Sequence, residues 1–265
     1  MPSCNRTTAF LQAALLAALY AVAGSAAAAP ASAASAAPAS TDAVFRPIFT
    51  TPQGPLSAGT AFVARLEHCE EPVLLTAIHL FGPGGGLAQP MSADDVKHGV
   101  SQAELTGIGS NAKHMLFEVD SLTPENATPC CTSDRMVGVG DVAAFTAPAR
   151  LKSIGLPLAP DIAIAGDRVT LLAPLVGATD AGLRHDAVVI GMRDGFLVYK
   201  FDEPNIQLRA TSGAPVVDAA GRVVAINLSS GRMSKEDPTA MIGAGNPASA
   251  WRGAVEAGCQ AAAPK

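Results

Sequence analysis

The sequence predicts an all-β fold, a sandwich or a barrel, followed by one C-terminal helix. Three observations predict it. Beyond about residue 43, short runs of β-branched and aromatic residues recur along the chain. Glycine, proline and aspartate separate these runs, as expected of turns between strands. Only one segment, close to the C-terminus, carries a helical pattern.

The predicted strands are short and follow one another closely. They cover residues 59–65, 73–77, 114–119, 142–146, 169–173, 187–190, 196–201, 215–217 and 222–228. Prolines interrupt this series between residues 147 and 160, where we expect a boundary between two halves. We therefore divide the chain into a first half, residues 43–150, and a second half, residues 151–265.

The predicted helix lies at the end of the second half. Asn246 can cap its N-terminus, and Pro247 suits the first helical position. Trp251 and Val255 share one face of such a helix, and Gly258 follows them. We therefore expect the helix to begin at Pro247 and to end before Gly258.

Residues 1–29 have the three-part layout of a secretory signal peptide. Arg6 provides a positive charge, residues 9–22 are apolar, and small residues follow. A membrane anchor is the competing interpretation, but the apolar stretch is shorter than the ~20 residues that span a bilayer. Residues 30–42 are almost wholly alanine, serine and proline, which predicts a disordered spacer. The sequence thus predicts an exported protein, periplasmic or extracellular.

The charge distribution limits the classes of partner. The net charge is −5, and lysine and arginine form no cluster. Nucleic acids and anionic membranes are bound by such clusters. We therefore expect neither nucleic acid nor, after removal of the signal peptide, a membrane as a partner.

The cysteines beyond the signal peptide predict disulfides. They are Cys69, Cys130, Cys131 and Cys259. An even number in an exported chain predicts two bonds. A bond between the adjacent Cys130 and Cys131 would close a strained ring, so we expect each of them to pair with Cys69 or Cys259. Zinc binding, with His68 as a further ligand, is the alternative, but no C-x-x-C spacing supports it, and we expect no metal.

Three short segments place a histidine, an acid and a serine beside predicted strands. They are Thr76-Ala77-Ile78-His79, Gly140-Asp141-Val142 and Thr211-Ser212-Gly213-Ala214-Pro215. A serine hydroxyl becomes a nucleophile at neutral pH when an imidazole takes its proton and a carboxylate orients the imidazole. The chain order His, Asp, Ser is the order found on paired β-barrels.

These segments resemble those of the trypsin-like (chymotrypsin-fold) serine peptidases of the secreted bacterial type. The resemblance covers about residues 55–230. It rests most on Thr-Ala-x-His at 76–79 and on Ser-Gly-x-Pro at 212–215, which precedes a strand, a turn and a second strand. It implies two β-barrels, a C-terminal helix packed on the second one, an active site between them and no cofactor.

The resemblance also implies roles for the three residues. His79 would be the general base, Asp141 would orient it, and Ser212 would attack a peptide or protein substrate to form an acyl-enzyme. Taken alone, His79 is typical of a half-buried structural histidine, and Ser212 of an ordinary β-turn. Three other acids compete with Asp141 for its role: Asp120, Asp134 and Asp161. The strand that directly follows Asp141 favours it.

The two residues just before Ser212 depart from the family's pattern. Many members have glycine at the position of Ala210, where its N–H joins that of the serine in the oxyanion hole. If this position needs a left-handed conformation, the Cβ of alanine adds strain, and a misplaced oxyanion donor raises the barrier by about 3–4 kcal/mol. Thr211 replaces the acid that pairs with a new N-terminus in digestive members, so activation by that ion pair is not expected.

The resemblance places a substrate pocket just before Ser212 and at a nearby strand end. Ile206, Leu208 and Leu228 favour a small or apolar pocket without an acid for lysine or arginine. We therefore expect an exported serine endopeptidase. Ala210 favours the alternative, a catalytically weak protein of the same fold that binds peptide or protein in its cleft. A secreted β-sandwich adhesion or structural module, in which the motifs are coincidental, is a third interpretation.

Overall fold

The structure is a computed structural model that describes residues 40–57, 59–108, 113–129, 136–175 and 182–262. The predicted signal peptide, most of the predicted spacer, and Cys130, Cys131 and Asp134 lie outside the described residues. The last spacer residues are described. There Ser40 caps a short 3₁₀ helix, Thr41–Ala43, by accepting a hydrogen bond from the N–H of Asp42.

The first half of the chain forms a bent sheet whose strands pair antiparallel, except that the short β8 pairs parallel with β3. Its strands are β1 (Val44–Thr51), β2 (Gly54–Ser57), β3 (Ala61–Arg65), β4 (Val73–Thr76), β5 (Gln102–Gly107), β6 (His114–Glu118), β7 (Ala143–Thr146) and β8 (Leu156–Pro157). Six of these strands are hydrogen-bonded to their neighbours in the order β6-β5-β1-β3-β4-β7. In addition, β2 pairs with β1 and β8 pairs with β3. Just after β6, the N–H of Leu122 donates to Ala144 O of β7, so the two ends of the sheet meet.

The second half forms a closed barrel. Its strands are β9 (Arg168–Leu172), β10 (Arg184–Arg193), β11 (Phe196–Phe201), β12 (Pro215–Asp218), β13 (Val223–Arg232) and β14 (Met241–Pro247). They pair in the order β10-β11-β14-β13-β12-β9. The two sheets confirm the predicted all-β, two-barrel architecture with a C-terminal helix.

Each half has its own aromatic centre. In the first, Phe49, Phe81 and Phe145 pack with ring centroids 5.1–5.9 Å apart. In the second, Tyr199 and Phe201 meet edge to face at 5.5 Å. Every residue of β4 is buried, because β4 lies between β3 and β7. The chain that leaves β4 is therefore fixed in position by both of its neighbours.

A second helix, α1 (Ala93–Gly99), was not predicted from the sequence. It begins with a capping box in which the side chain of Ser92 accepts from the N–H of Asp95 and the Asp95 carboxylate accepts from the N–H of Ser92. Its seven residues are too few to show a clear helical period. Among the described residues, no helix is long and apolar enough to cross a membrane.

The C-terminal helix differs at both ends from its prediction. It is α2 (Ala248–Ala262), so Pro247 still belongs to β14 and the helix continues through Gly258. Asn246 uses its amide to donate to Val139 O instead of capping the helix. A Cβ on Gly258 would make an ordinary contact with Leu122 O, at 3.4 Å, so this end of the helix lies next to the first half without requiring glycine. Trp251 and Val255, which were predicted to share one face of the helix, are both fully buried.

The disulfide pairing expected from the sequence is wrong for Cys69 and Cys259. These two residues bond to each other, with their Cα atoms 5.3 Å apart. The end of α2 lies next to the first half, where Gly258 contacts Leu122, and this brings Cys259 to the β3–β4 turn. Sequence offers no signal for this contact across 190 residues. Both thiols are consumed, so they are not zinc ligands.

The change from one sheet to the other falls at residues 157–158, within the proline-containing stretch 147–160. The short strand β8, which ends at Pro157, still pairs with β3. The next residue, Leu158, bridges to Val223 of the second barrel. The helix α2 packs on β13 and β14 of the second barrel, and its Trp251 and Val255 belong to a core cluster with residues of both halves.

Candidate active site

His79 stands at the surface end of a buried strand. It follows β4 and lies within a short 3₁₀ helix, Ile78–Leu80. The side chains of Ile78 and Leu80 are buried, which anchors the turn on both sides of the histidine. The His79 side chain keeps 16% of its surface exposed. An imidazole held this way is fixed at one edge and accessible at the other.

Asp141 binds His79 at two points. Its carboxylate Oδ2 lies 2.7 Å from His79 Nδ1, and its Oδ1 accepts from the backbone N–H of His79 at 3.1 Å. The side chain of Asp141 is fully buried. It reaches the histidine because β4 and β7 are paired, with Thr76 opposite Ala143.

This contact sets the tautomer of His79. An ionised carboxylate only accepts hydrogen bonds, so the ring proton of a neutral His79 resides on Nδ1. The lone pair then lies on Nε2, at the other side of the ring. Nε2 is therefore the atom of this pair that can accept a proton from a nucleophile.

Ser212 lies on a tight turn of the second barrel that touches the first. The N–H of Thr60 donates to Ser212 O at 2.8 Å. Gly213 has a φ of +84°, and a Cβ on it would lie 2.1 Å from Thr60 O and 2.3 Å from Thr76 Oγ1. The serine turn thus rests against the end of β4, the strand that leads directly to His79.

The Ser212 hydroxyl has a defined partner. Its Oγ donates to Leu228 O in β13 at 2.9 Å. A hydroxyl carries one proton, and a backbone carbonyl can only accept it. Nucleophilic use of Ser212 therefore requires its O–H to turn from Leu228 towards an acceptor such as an imidazole nitrogen.

Ala210 adopts a backbone conformation that favours glycine. Its φ is +64°, in the left-handed region. Its carbonyl accepts from Arg46 Nη1 at 2.7 Å and from Thr60 Oγ1 at 3.0 Å. Within the described part of the chain, the N–H groups of Ala210 and Ser212 donate to no acceptor. Two such N–H groups, two residues apart on one turn, are suited to bind a negatively charged oxygen.

A buried network that sequence reasoning missed holds Thr211. The amide of Asn227 donates to Thr211 O and to Thr211 Oγ1, both at 3.0 Å, and the hydroxyl of Tyr199 donates to Asn227 Oδ1 at 2.5 Å. Burial raises the pKa of Tyr199, so the phenol stays protonated. Neutral hydrogen bonds therefore hold the serine turn at Thr211. The signal in the sequence was an asparagine within the apolar strand β13.

The expected pocket residues lie in two different cores. Ile206 and Leu208 are buried in the core of the second barrel, and Leu228 is buried in a larger core that holds residues of both halves. Their role in substrate binding stays a prediction.

Among the competing acids, Asp120 and Asp161 are exposed. His185 is buried because it faces inwards on the alternating strand β10, where its Nε2 lies 3.0 Å from Ala173 O.

Solved structures with this arrangement of strands are serine proteases. One, a thermostable serine protease from an extremophilic microorganism, matches with a TM-score of 0.52 and 13% identity, over 84% of this chain and 99% of that one. The fold is that of the trypsin-like serine peptidases. No protein-family model and no curated protein matches the sequence.

Two other solved structures match less well in shape. The Rv3671c protease of M. tuberculosis in its active form has a TM-score of 0.49 and 19% identity, over 85% of this chain and 84% of that one. A serine protease of human pathogenic astrovirus has a TM-score of 0.44 and 18% identity, over 78% of this chain and 90% of that one.

In this trypsin-like fold the two barrels bring different groups to the candidate site. The first half carries His79 and Asp141, which are in direct contact. The second barrel carries the turn with Ala210 and Ser212, and backbone contacts to Thr60 hold that turn against the first half. An imidazole, a carboxylate, a hydroxyl and two backbone N–H groups thus lie at one junction.

Proposed function

We propose that this protein is a serine endopeptidase in which Ser212 is the nucleophile, His79 the general base and Asp141 the residue that orients it. The observation that carries the proposal is the two-point contact of the buried Asp141 with His79, next to the turn that bears Ser212. A buried carboxylate that fixes an imidazole tautomer is the arrangement that serine activation needs.

The proposed reaction has two halves. His79 Nε2 takes the proton of Ser212 as Oγ attacks the scissile carbonyl, and Asp141 stabilises the resulting imidazolium. The N–H groups of Ala210 and Ser212 receive the oxyanion. The C–N bond then breaks, and the amine leaves with the proton from His79. Water, deprotonated by His79, hydrolyses the ester on Ser212 and restores the serine.

The proposed substrates are peptides or proteins, and the proposed location is outside the cytoplasm. The signal-like N-terminus supports export, and the Cys69–Cys259 disulfide is compatible with an oxidising compartment. A preference for small or apolar side chains at the cleaved bond rests on the resemblance of the sequence, since Ile206, Leu208 and Leu228 themselves are buried.

The test is covalent labelling with a fluorophosphonate, which reacts with activated serines. We expect the folded protein to be labelled and to cleave an unstructured protein such as casein. Ser212→Ala should abolish both, and His79→Ala should slow both by at least about 10³-fold. Ser153→Ala, at an exposed serine, is the control and should change neither.

A second candidate function is binding of a peptide in the same cleft without hydrolysis. The observation that favours it is the donation of the Ser212 proton to Leu228 O. The same labelling decides between the two: a folded protein that binds peptides but does not react with the fluorophosphonate would contradict the peptidase and support the binder.

A further inference from the structure

Arg46 is a cation that lies between the two barrels. It belongs to β1, and its guanidinium donates to Gly59 O at 2.8 Å, to Thr60 Oγ1 at 3.2 Å, to Ala210 O at 2.7 Å and to Pro174 O at 2.8 Å. Two of these oxygens belong to the first half and two to the second barrel. In the described part of the chain, all of its hydrogen-bond partners are neutral.

Partial burial of the Arg46 guanidinium costs solvation free energy, which no carboxylate among its described partners offsets. The side chain is half-buried, and burial lowers the pKa of Arg46 below its usual range. A buried cation held only by neutral oxygens gains less than one paired with a carboxylate. Of the partner oxygens, Ala210 O is the one that bears on the candidate site. Ala210 lies two residues before Ser212 on the serine turn and has a positive φ that alanine disfavours.

The hydrogen bond to Ala210 O constrains the direction of the Ala210 N–H. In helical conformations of either hand, the N–H and C=O of one residue point in opposite directions. Because Arg46 and Thr60 draw the carbonyl towards the first half, the N–H of a left-handed Ala210 points away from them. An alanine without these partners would relax to a negative φ, which reorients its N–H.

We propose that Arg46 is a positioning residue for oxyanion binding, which holds Ala210 in the left-handed conformation so that its N–H faces the reacting carbonyl oxygen. This inference rests on the proposed function. A glycine would adopt the conformation without help. The chain has alanine instead, and Arg46 supplies from another strand the restraint that alanine needs.

The test compares Arg46→Met with the parent in the chemical steps, which develop an oxyanion, and in substrate binding, which does not. We expect kcat and the rate constant of fluorophosphonate labelling to fall by about 10- to 100-fold, as for a displaced transition-state donor. KM for a peptide substrate should change by less than about threefold. Affinity for a peptide aldehyde, whose adduct carries an oxyanion, should fall in parallel with kcat.

Ala210→Gly distinguishes a positioning role of Arg46 from a general structural role. A general loss of stability in Arg46→Met would not depend on whether residue 210 is alanine or glycine. In the Ala210→Gly background, Arg46→Met should lower the labelling rate constant much less than it does with alanine, because glycine needs no restraint. Thr60→Val removes the other donor to Ala210 O and should give a smaller loss of the same kind. Arg168→Met, at an exposed arginine paired with Asp202, is the matched control and should change neither kcat nor KM.

The outcomes separate this inference from the proposed function. If the parent does not react with the fluorophosphonate while Ser212→Ala behaves identically, both are wrong. If the parent reacts and Arg46→Met reacts equally fast, or loses the same factor with glycine as with alanine, the inference alone is overturned. Thermal unfolding of each variant identifies any that does not fold. If Arg46→Met does not fold, Thr60→Val, which keeps the Arg46 cation, replaces it in the comparison of labelling rates with alanine and with glycine at position 210.

Discussion

At the scale of single residues, the structure explains why glycine follows the serine in the motif Ser212-Gly213-Ala214-Pro215. The residue needs a positive φ, and the space where a Cβ would stand is already occupied by Thr60 O and Thr76 Oγ1. The overlap with Thr60 O excludes every other amino acid, and the positive φ disfavours them further. The glycine that follows the serine therefore permits the contact between the two barrels on which the candidate site depends.

Gly213→Ala should destabilise the protein by about 3 kcal/mol or more, because the overlap is with backbone as well as a side chain. Labelling of Ser212 should be lost with it. Gly166→Ala is the matched control, since Gly166 also has a positive φ of +95° but nothing within 4 Å of the added Cβ. That variant should lose only about 1 kcal/mol. Urea unfolding measures both, and equal losses would contradict the steric explanation.

Single residues of the candidate site were partly predictable. His79 and Asp141 were expected to be partners, and they are in contact. The glycine-like conformation considered for Ala210 is present, with a φ of +64°. The residues that support this turn, Arg46 and Asn227, were not anticipated. Their partners are backbone carbonyls contributed by distant parts of the chain, and neither belongs to a motif.

At the scale of elements, the strands that were predicted have consecutive β-branched or apolar residues, as β4 and β11 do. The missed strands break the usual rules. The strand β1 contains Pro47, and β14 contains Gly243 and Gly245. A Cβ on Gly243 would lie 2.3 Å from the ring of Tyr199, so packing against that ring requires glycine in a strand where propensity disfavours it.

The helix α2 packs on β13 and β14 of the second barrel, as the resemblance implied, but its disulfide partner was not predicted. Its docking leaves the end of the helix covalently tied to the β3–β4 turn. A bond that closes so long a loop restricts the unfolded chain strongly, by about 2–5 kcal/mol in the usual entropic account.

The double variant Cys69→Ser, Cys259→Ser should therefore unfold at lower urea concentration, with a loss of about 2–5 kcal/mol in the free energy of unfolding. Each single variant should lose about as much as the double, since either one removes the bond. The rate of fluorophosphonate labelling below the unfolding transition should be unchanged, because the disulfide contacts none of the proposed catalytic groups. An unchanged midpoint in the double variant would show that α2 is held by packing alone.

At the scale of the whole molecule, the two barrels form one junction from groups far apart in the chain. His79 and Asp141 come from paired strands of the first half, and Ser212 comes from the second barrel. The order of the motifs predicted the two-barrel architecture. The order of motifs does not reveal how closely the Ser212 turn of the second barrel packs against the end of β4 in the first half. That contact depends on a glycine and on backbone carbonyls, which no sequence motif marks.

The most direct measurement of the central claim is the mass-spectrometric location of the fluorophosphonate adduct on the folded protein. The account predicts one adduct per chain, on the peptide that contains Ser212, and its loss both in His79→Ala and after unfolding in urea. An adduct on another serine, or an equal yield on Ser212 in His79→Ala, would contradict it.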